Sequence, residues 1–224
     1  QIDLVEFLKT RSYLERFIQF TTPEVYGSTS GWISESTPFN PSTPYATSRA
    51  TFDFHLKNLH DAFGFPVIFT RAANVYGPGQ QIYRIIPRAM LSCILDERFP
   101  LHGSGTSERA FIHMDDVSDA LCKIISKGTV GDTYHISTDQ SLTLMQLVAV
   151  IGKYYGKQVS EFADIVDDRQ GKDKEYKLSS KKLNDELNWS ARIALSEGLV
   201  NVDNWLQKNI NTIKSVERVY RHKK

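Results

Sequence analysis

The chain has 224 residues, enough for one substantial domain, or a domain with a smaller lobe, and enough to bury a real core. Lys and Arg total 27 against 26 Asp and Glu, a formal net charge of +1, so bulk electrostatics point to neither a nucleic-acid wrapper nor a membrane-surface binder. Any anionic ligand must therefore be held by local arginines and lysines.

Residues 2–14 carry Ile2, Leu4, Val5, Leu8 and Leu14 at mostly helical spacing, which predicts an amphipathic helix already under way where the chain begins. A start in mid-pattern reads as a chain that continues upstream. Residues 16–22 form a short apolar run ending in hydroxyls, a buried strand whose C-terminal end would face a ligand crevice. Residues 27–44 are rich in Ser, Thr, Pro and Gly and read as loop. Residues 45–63 have the length and composition of a helix, followed by a Gly-Phe-Pro turn and an apolar strand over 67–70. A helix near 85–95, a strand at 99–102, a Gly-Ser-Gly turn, a strand at 111–113 and a helix over 115–126 come next. Strands alternating with helices predict a mainly parallel α/β sheet.

From about Ser141 the balance shifts to a helical lobe, with Leu142, Leu144, Leu147, Val148 and Ile151 forming one apolar stripe. Residues 164–176 are charged and read as irregular, and residues 195–205 as a closing helix. No internal repeat or low-complexity tract is evident.

Cys93 and Cys122 both fall in helical segments without metal-site spacing, and both are expected to be buried small apolar residues. His102, His113 and His135 lack partners at metal spacing, so no metal site is expected. Trp189 and Trp205 read as packing. No run approaches the roughly 18 apolar residues of a membrane span, and no secretory signal opens the sequence, so a cytoplasmic location is the default expectation.

The strongest chemical constellation is Thr-Pro-Glu-Val-Tyr-Gly from Thr22, followed by Tyr-Ala-Thr-Ser-Arg from Tyr45. Positions i and i+4 of a helix share a face, so Tyr45 and Arg49 would stand one above the other. A cation beside a phenol stabilises phenolate, the form in which tyrosine serves as a general base. Thr22, at the end of the preceding strand, could hydrogen-bond both the phenol and a substrate oxygen. That is a hydride-transfer site in outline, although helix-face geometry alone also fits an ordinary surface helix.

Context makes it specific. The stretch from Glu35 through Pro44, Tyr45, Ser48, Arg49 and Ala50 resembles the Glu-x-x-x-x-x-Pro-x-x-Pro-Tyr-x-x-Ser-Lys-Ala segment of the extended short-chain dehydrogenase/reductases. Similarity continues through Thr-Arg-Ala-Ala-Asn-Val-Tyr-Gly-Pro from Thr70, Arg-Ile-Ile-Pro from Arg84, Leu-His-Gly-Ser-Gly from Leu101, Arg-Ala-Phe-Ile-His-Met-Asp-Asp-Val from Arg109, Gly-Asp-Thr-Tyr-His-Ile from Gly131, and Glu-Leu-Asn-Trp from Glu186. Within that family the chain looks closest to the sugar-nucleotide 4,6-dehydratases.

The resemblance implies an incomplete Rossmann-like, doubly wound parallel sheet over residues 1–140, interleaved with substrate segments, and a mainly substrate-binding lobe over residues 141–224. It implies that Tyr45 removes the sugar C4 hydroxyl proton as hydride leaves for NAD, assisted by Thr22, and that Glu24 takes the C5 proton. Tyr45 and Arg49 would also contact the cofactor. Asn74, Arg84, His102 and Arg109 fall at positions that hold the nucleotide sugar and its diphosphate, for which guanidinium groups suit phosphate oxygens. The segment from Asp168, with Arg169, resembles the one that closes over the nucleotide. A homodimer through the tyrosine-bearing helix is also implied, and Phe52, Phe54, Leu56, Leu59 and Phe63 give that helix more apolar surface than one sheet-facing stripe requires.

Three departures bear on mechanism. Arg49 replaces the family lysine, keeping the charge but not the shape. Pro23 stands where the dehydratases usually carry an aspartate that protonates the leaving C6 hydroxyl, and proline has no proton to give. The Gly-rich turn that seats the dinucleotide pyrophosphate would lie roughly a hundred residues before Thr22 in this family. The chain alone is thus expected to bind NAD poorly, and the choice of NAD over NADP stays open. The runner-up activities are a 4-epimerase or reductase of the same family, and, from a different class, a non-catalytic nucleotide-sugar-binding remnant.

Overall fold

The computed structural model describes residues 1–167 and 175–215. Helix α1 (Ile2–Lys9) leads into strand β1 (Phe17–Thr21), a 3-10 turn (Pro23–Tyr26), the short strand β2 (Trp32–Ile33), helix α2 (Pro44–Phe63) and strand β3 (Val67–Ala72). The opening helix is shorter than expected. It ends at Lys9, burying Val5 with Leu8 packed beside it and Ile2, Leu4 and Phe7 exposed, and Leu14 reaches the same core from beyond the helix. Helix α2 has both end signals. The Thr43 hydroxyl accepts from the Ala46 N–H at 3.1 Å, Pro44 occupies the first turn, and Gly64 closes the helix in the left-handed region at φ 69°.

β3 is the centre of a parallel sheet ordered β1-β3-β8, where β8 follows β4 (Asn74–Tyr76), α3 (Ile85–Leu95), β5 (Phe99–His102), β6 (Glu108–Arg109), β7 (Phe111–His113) and α4 (Met114–Lys127), and spans Thr133–Ile136. Every residue of β3 is buried, which explains its nearly continuous apolar run. Alternate side chains go to opposite faces. Val67 and Phe69 pack with Phe52, Leu56 and Leu59 of α2, whereas Ile68 packs with Val117, Ala120 and Ile124 of α4. Each such side chain contributes roughly 1.5–3 kcal/mol on burial. Helices on both faces make the sheet doubly wound.

The second core gathers α3, β5 and the later elements β9 (Leu142–Thr143), α5 (Leu144–Tyr154), α6 (Val159–Phe162), β10 (Ala163–Val166), β11 (Glu175–Leu178), α7 (Lys181–Leu187), α8 (Leu195–Lys208) and α9 (Ile210–Ile213). Met90, Leu101, Leu147, Val148, Ile151, Leu199 and Val202 are buried together in it. α5 begins with a reciprocal Thr143–Gln146 capping box. Trp189 is buried against the α4 face of the sheet, and Trp205 packs at the edge of the second core.

Three local expectations are corrected. The loop over 27–44 contains β2, and the charged stretch over 164–176 contains all of β10 but its first residue, Ala163, and begins β11. These strands are two to four residues long and form only because partners exist: β10 pairs β5, and β11 pairs β2 and β6, all in parallel. Cys93 is buried in α3, but Cys122 faces solvent from α4, whose inward stripe is Val117, Ala120 and Ile124. Among the described residues, no helix is long and apolar enough to cross a membrane and no cluster of His, Cys, Asp or Glu could hold a metal.

Candidate active site

The 3-10 turn after β1 and the first turns of α2 share one small core of Val25, Tyr26, Ile33, Ala50 and Leu178, edged by Phe39. Ala46 and Ala50, both buried, let α2 approach the turn closely. Thr22 is the turn's N-cap: its hydroxyl oxygen accepts the Glu24 N–H at 3.3 Å. The turn closes through Gly27 N–H to the Glu24 carbonyl at 3.0 Å, and Asn40 N–H reaches the Val25 carbonyl at 2.9 Å. Gly27 sits at φ 66°, ψ −157°, a conformation essentially confined to glycine. Thr22 is buried and Glu24 half-buried.

Across this core, Tyr45 stands in the first turn of α2 with its side of the helix open, 49% exposed. The Arg49 guanidinium carbon is 5.3 Å from the centre of its ring, within cation–π range. Thr22 and Glu24 on the turn, with Tyr45 and Arg49 on the helix, are therefore set on two elements that pack directly on each other.

The expected ligand-holding residues divide. Arg109 is buried, with Nη1 donating to the Glu108 carbonyl at 2.7 Å and its guanidinium 4.5 Å from the Tyr176 ring. It lines a cavity of about 230 Å³ with Phe111, Thr138, Asp139, Gln140, Leu142 and the segment Ala191, Arg192, Ile193, Ala194 and Leu195. β11 links this cavity to the turn. Tyr176 stacks on Arg109, and Leu178, two residues on and so on the same face of the strand, belongs to the Val25 and Ala50 core.

Asn74 points its amide Nδ2 at the Ala110 carbonyl, 3.2 Å away, beside the start of the β4–β7 pairing. Arg84 is exposed at the N-cap position of α3, 5.6 Å from the Tyr83 ring. His102 is half-exposed, its Nδ1 3.0 Å from the Asp167 carbonyl. Arg169 lies outside the described residues.

A set of buried polar residues beneath the turn was not singled out from the sequence. Arg71 of β3 donates from Nη2 to Asp53 of α2 at 2.7 Å, both side chains 3% exposed. Gln19 of β1 donates to the other oxygen of Asp53 at 3.3 Å. The Tyr26 hydroxyl and His135 Nε2 are 2.8 Å apart, and the Glu35 carboxylate accepts the His135 backbone N–H at 2.9 Å. Burial sets the chemistry of this group. It pushes the Tyr26 phenol up to about 12, raises Glu35, and lowers His135 to about 3. Asp53 is likewise raised by burial, with Arg71 pulling against it. The signal available in sequence was a charge at Arg71 inside an apolar strand and at Asp53 between Phe52 and Phe54.

Residues 1–137 match the profile described as the NAD dependent epimerase/dehydratase family. The chain is 32% identical over 211 residues to the dTDP-D-glucose 4,6-dehydratase of Mus musculus, covering 92% of this chain and 59% of that protein. The solved dTDP-glucose 4,6-dehydratase of Streptomyces venezuelae, with NAD bound, superposes with a TM-score of 0.83 at 32% identity, over 88% of this chain and 61% of that one. The UDP-glucuronic acid 4-epimerase of Bacillus cereus shares the fold, with a TM-score of 0.86 at 24% identity over 92% of this chain and 65% of that one. The chain thus spans about three fifths of the length of the relatives it matches. The profile match over most of the chain and the extended identity place it in one group: the chain belongs to the NAD dependent epimerase/dehydratase family.

Proposed function

We propose that this chain is the substrate-binding portion of an NAD-dependent nucleotide-sugar 4,6-dehydratase. The observation that carries the reading is the packing of the Thr22–Glu24 turn against the buried Ala46–Ala50 face of α2, which sets Tyr45 and Arg49 on the adjoining open side of the same helix, with the Arg109 cavity joined to it through β11. Relatives at about 30% identity named as 4,6-dehydratases support the reaction class.

In this reading Tyr45, as phenolate held by Arg49, takes the proton of the sugar C4 hydroxyl, and the Thr22 hydroxyl orients that oxygen. NAD, when bound, supplies the hydride acceptor for C4 and the hydride later returned to C6. Glu24 takes the C5 proton, which the new C4 ketone makes acidic. Pro23 carries no acidic proton, so the proton on Glu24 is the one at hand for the departing C6 hydroxyl, which leaves as water. Glu24, reprotonated from solvent, then returns a proton to C5 as C6 is re-reduced. The half-exposed Tyr45 and its cationic neighbour fit the nicotinamide ribose end of the cofactor. None of the chain's 13 glycines falls in a Gly-x-x-Gly-x-x-Gly pattern, so no such pyrophosphate-binding turn lies within these 224 residues. Arg109 suits the substrate diphosphate.

The test is incubation of the intact protein with NAD and, in turn, dTDP-glucose, CDP-glucose, GDP-mannose and UDP-glucose. Loss of water by mass supports the dehydratase. Unchanged mass with inversion at C4 would move the assignment to a 4-epimerase, the reading that Pro23 favours. The exposed Phe54 and Phe63 on α2 support a homodimer through that helix, checked by light scattering of the wild type and a Phe54→Glu, Phe63→Glu variant.

A further inference from the structure

The buried polar group beneath the turn is centred on one cation. Arg71 pairs with Asp53, lies 5.3 Å from the Tyr26 ring and 4.9 Å from the Phe39 ring, and is 2% exposed. Its two attachments belong to the two halves of the candidate active site. Tyr26 ends the turn, two residues after Glu24. Asp53 lies one helical turn beyond Arg49 on α2, itself one turn beyond Tyr45. Gln19 ties the same carboxylate to β1, and the Tyr26–His135 bond ties the turn to β8. The cation therefore spans the gap between the two elements from below.

Energetics argue against a purely stabilising role. A fully buried ion pair loses about as much in desolvation as it gains in attraction, and well-packed apolar residues of similar volume often serve stability equally or better. What such a pair gives instead is one fixed geometry: a bidentate-capable, planar group that meets a carboxylate at one edge and aromatic faces at another.

We propose that Arg71 is a positioning residue, which through Asp53 and the Tyr26 ring sets the separation and orientation of the turn against the Ala46–Ala50 face of α2, and with it the placement of Thr22 and Glu24 relative to Tyr45 and Arg49 on the open side of that helix. Its kinetic consequence rests on the dehydratase reading; the structural part does not. The substrate and cofactor are not contacted by Arg71 in this account, so their binding is left to other residues.

The test uses the intact protein in two variants. R71M/D53L removes both charges together and leaves no unpaired buried charge, while R71K keeps the charge but loses the planar fork. Hydrogen exchange at the amides of Val25, Tyr26 and Gly27 is compared with that of the β3 and α4 amides, and kcat and KM are measured with whichever nucleotide sugar the unaltered protein converts. The expected result in R71M/D53L is exchange at the turn faster by roughly tenfold or more with β3 and α4 unchanged. A kcat lowered by roughly tenfold or more should accompany it at nearly constant KM, because small misplacement of reacting groups costs rate rather than binding. R71K should recover part of both. If the double variant does not fold, R71K alone decides, by the same comparison with wild type. An unchanged turn in a folded variant overturns the proposal, as does an unchanged kcat in an active protein. A wild-type protein that converts none of the sugars counts against the dehydratase reading instead, and the exchange measurement still decides the role of Arg71.

Discussion

Arg49 holds its guanidinium carbon 5.3 Å from the centre of the Tyr45 ring, one helical turn away on the open side of α2. At that position an arginine keeps a positive charge beside the phenol while placing a flat, forked group where a compact ammonium would also fit. Charge is the property the proposed base needs. Arg49→Lys is expected to hold kcat within about tenfold of wild type, whereas Arg49→Met should lower it by roughly 10²–10⁴-fold, the usual range for disabling a general base. Steady-state kinetics of the intact protein with NAD check this. Equal activity of the two variants would remove Arg49 from the mechanism.

Arg109 offers a binding measurement that needs no turnover. Its guanidinium is buried against Tyr176 at the wall of the cavity that also carries Asp139 and Arg192. A hydrogen bond to a charged group is worth about 1.5–3 kcal/mol, so Arg109→Ala should weaken a nucleoside diphosphate by roughly 10–100-fold. Calorimetric titration with dTDP and UDP reads the change, alongside a thermal melt to register the loss of packing on Tyr176. Undiminished affinity in a folded variant would place the diphosphate elsewhere.

The layout of the sheet was legible because it rests on periodicity and end signals. α2 was read from its length, its composition and the Gly64-Phe-Pro turn that follows it, and β3 from the apolar residues Val67, Ile68 and Phe69 that open it. That Tyr45 and Arg49 are neighbours was legible for the same reason, since a four-residue spacing on a helix defines a face, whereas the role proposed for them came from the family resemblance. The short strands β2, β10 and β11 were not, because a strand of two to four residues carries no alternation of its own and exists only through pairing with segments far off in sequence, as between Phe99 and Ala163 or Ile33 and Leu178. The Asp53–Arg71 pair was hidden differently. Each residue looks like an interruption of an apolar pattern, and only the register of β1, β3 and α2 shows that the two interruptions meet. Cys122 was misplaced because composition predicts burial by residue type, while the rotation of α4 decides which residues face the sheet.

Gly27 is the residue on which the turn's shape depends most directly. Its backbone at φ 66°, ψ −157° is closed to side chains, and a Cβ there would stand 2.1 Å from the Asn40 carbonyl oxygen. Gly27→Ala is expected to cost about 1–3 kcal/mol or to displace the turn, by the strain of that conformation. Chemical denaturation measures the first effect. A displaced turn should show as loss of the proposed dehydratase activity, with the nucleotide binding proposed at Arg109 retained, since the cavity is built from other segments. A variant with wild-type stability and activity would mean that the turn tolerates another path.

His135 makes the fold sensitive to acid in a predictable direction. In the native state burial holds it neutral, lowered to about 3, with repulsion from Arg71 and Lys182 adding to the effect and Tyr26 and Glu35 as its neighbours. In the unfolded chain it titrates near 6.5. Between those values the unfolded state binds the additional proton, so stability rises with pH there. The resulting destabilisation begins as pH falls below about 6.5 and is complete near 3, with several kcal/mol as its upper bound. Glu35 and Asp53, both raised by burial, act in the opposite sense over part of this range, since the fold favours their protonated forms. Comparison with His135→Gln isolates the histidine, because the amide stays neutral and its oxygen can accept from the Tyr26 hydroxyl. Denaturant melts between roughly pH 4 and 6.5 should show the variant's stability falling less steeply than wild type, by up to about one proton in the slope. Parallel curves would mean that His135 becomes protonated without leaving the fold, with the Glu35 carboxylate, 4.0 Å from Nδ1, as the partner at hand.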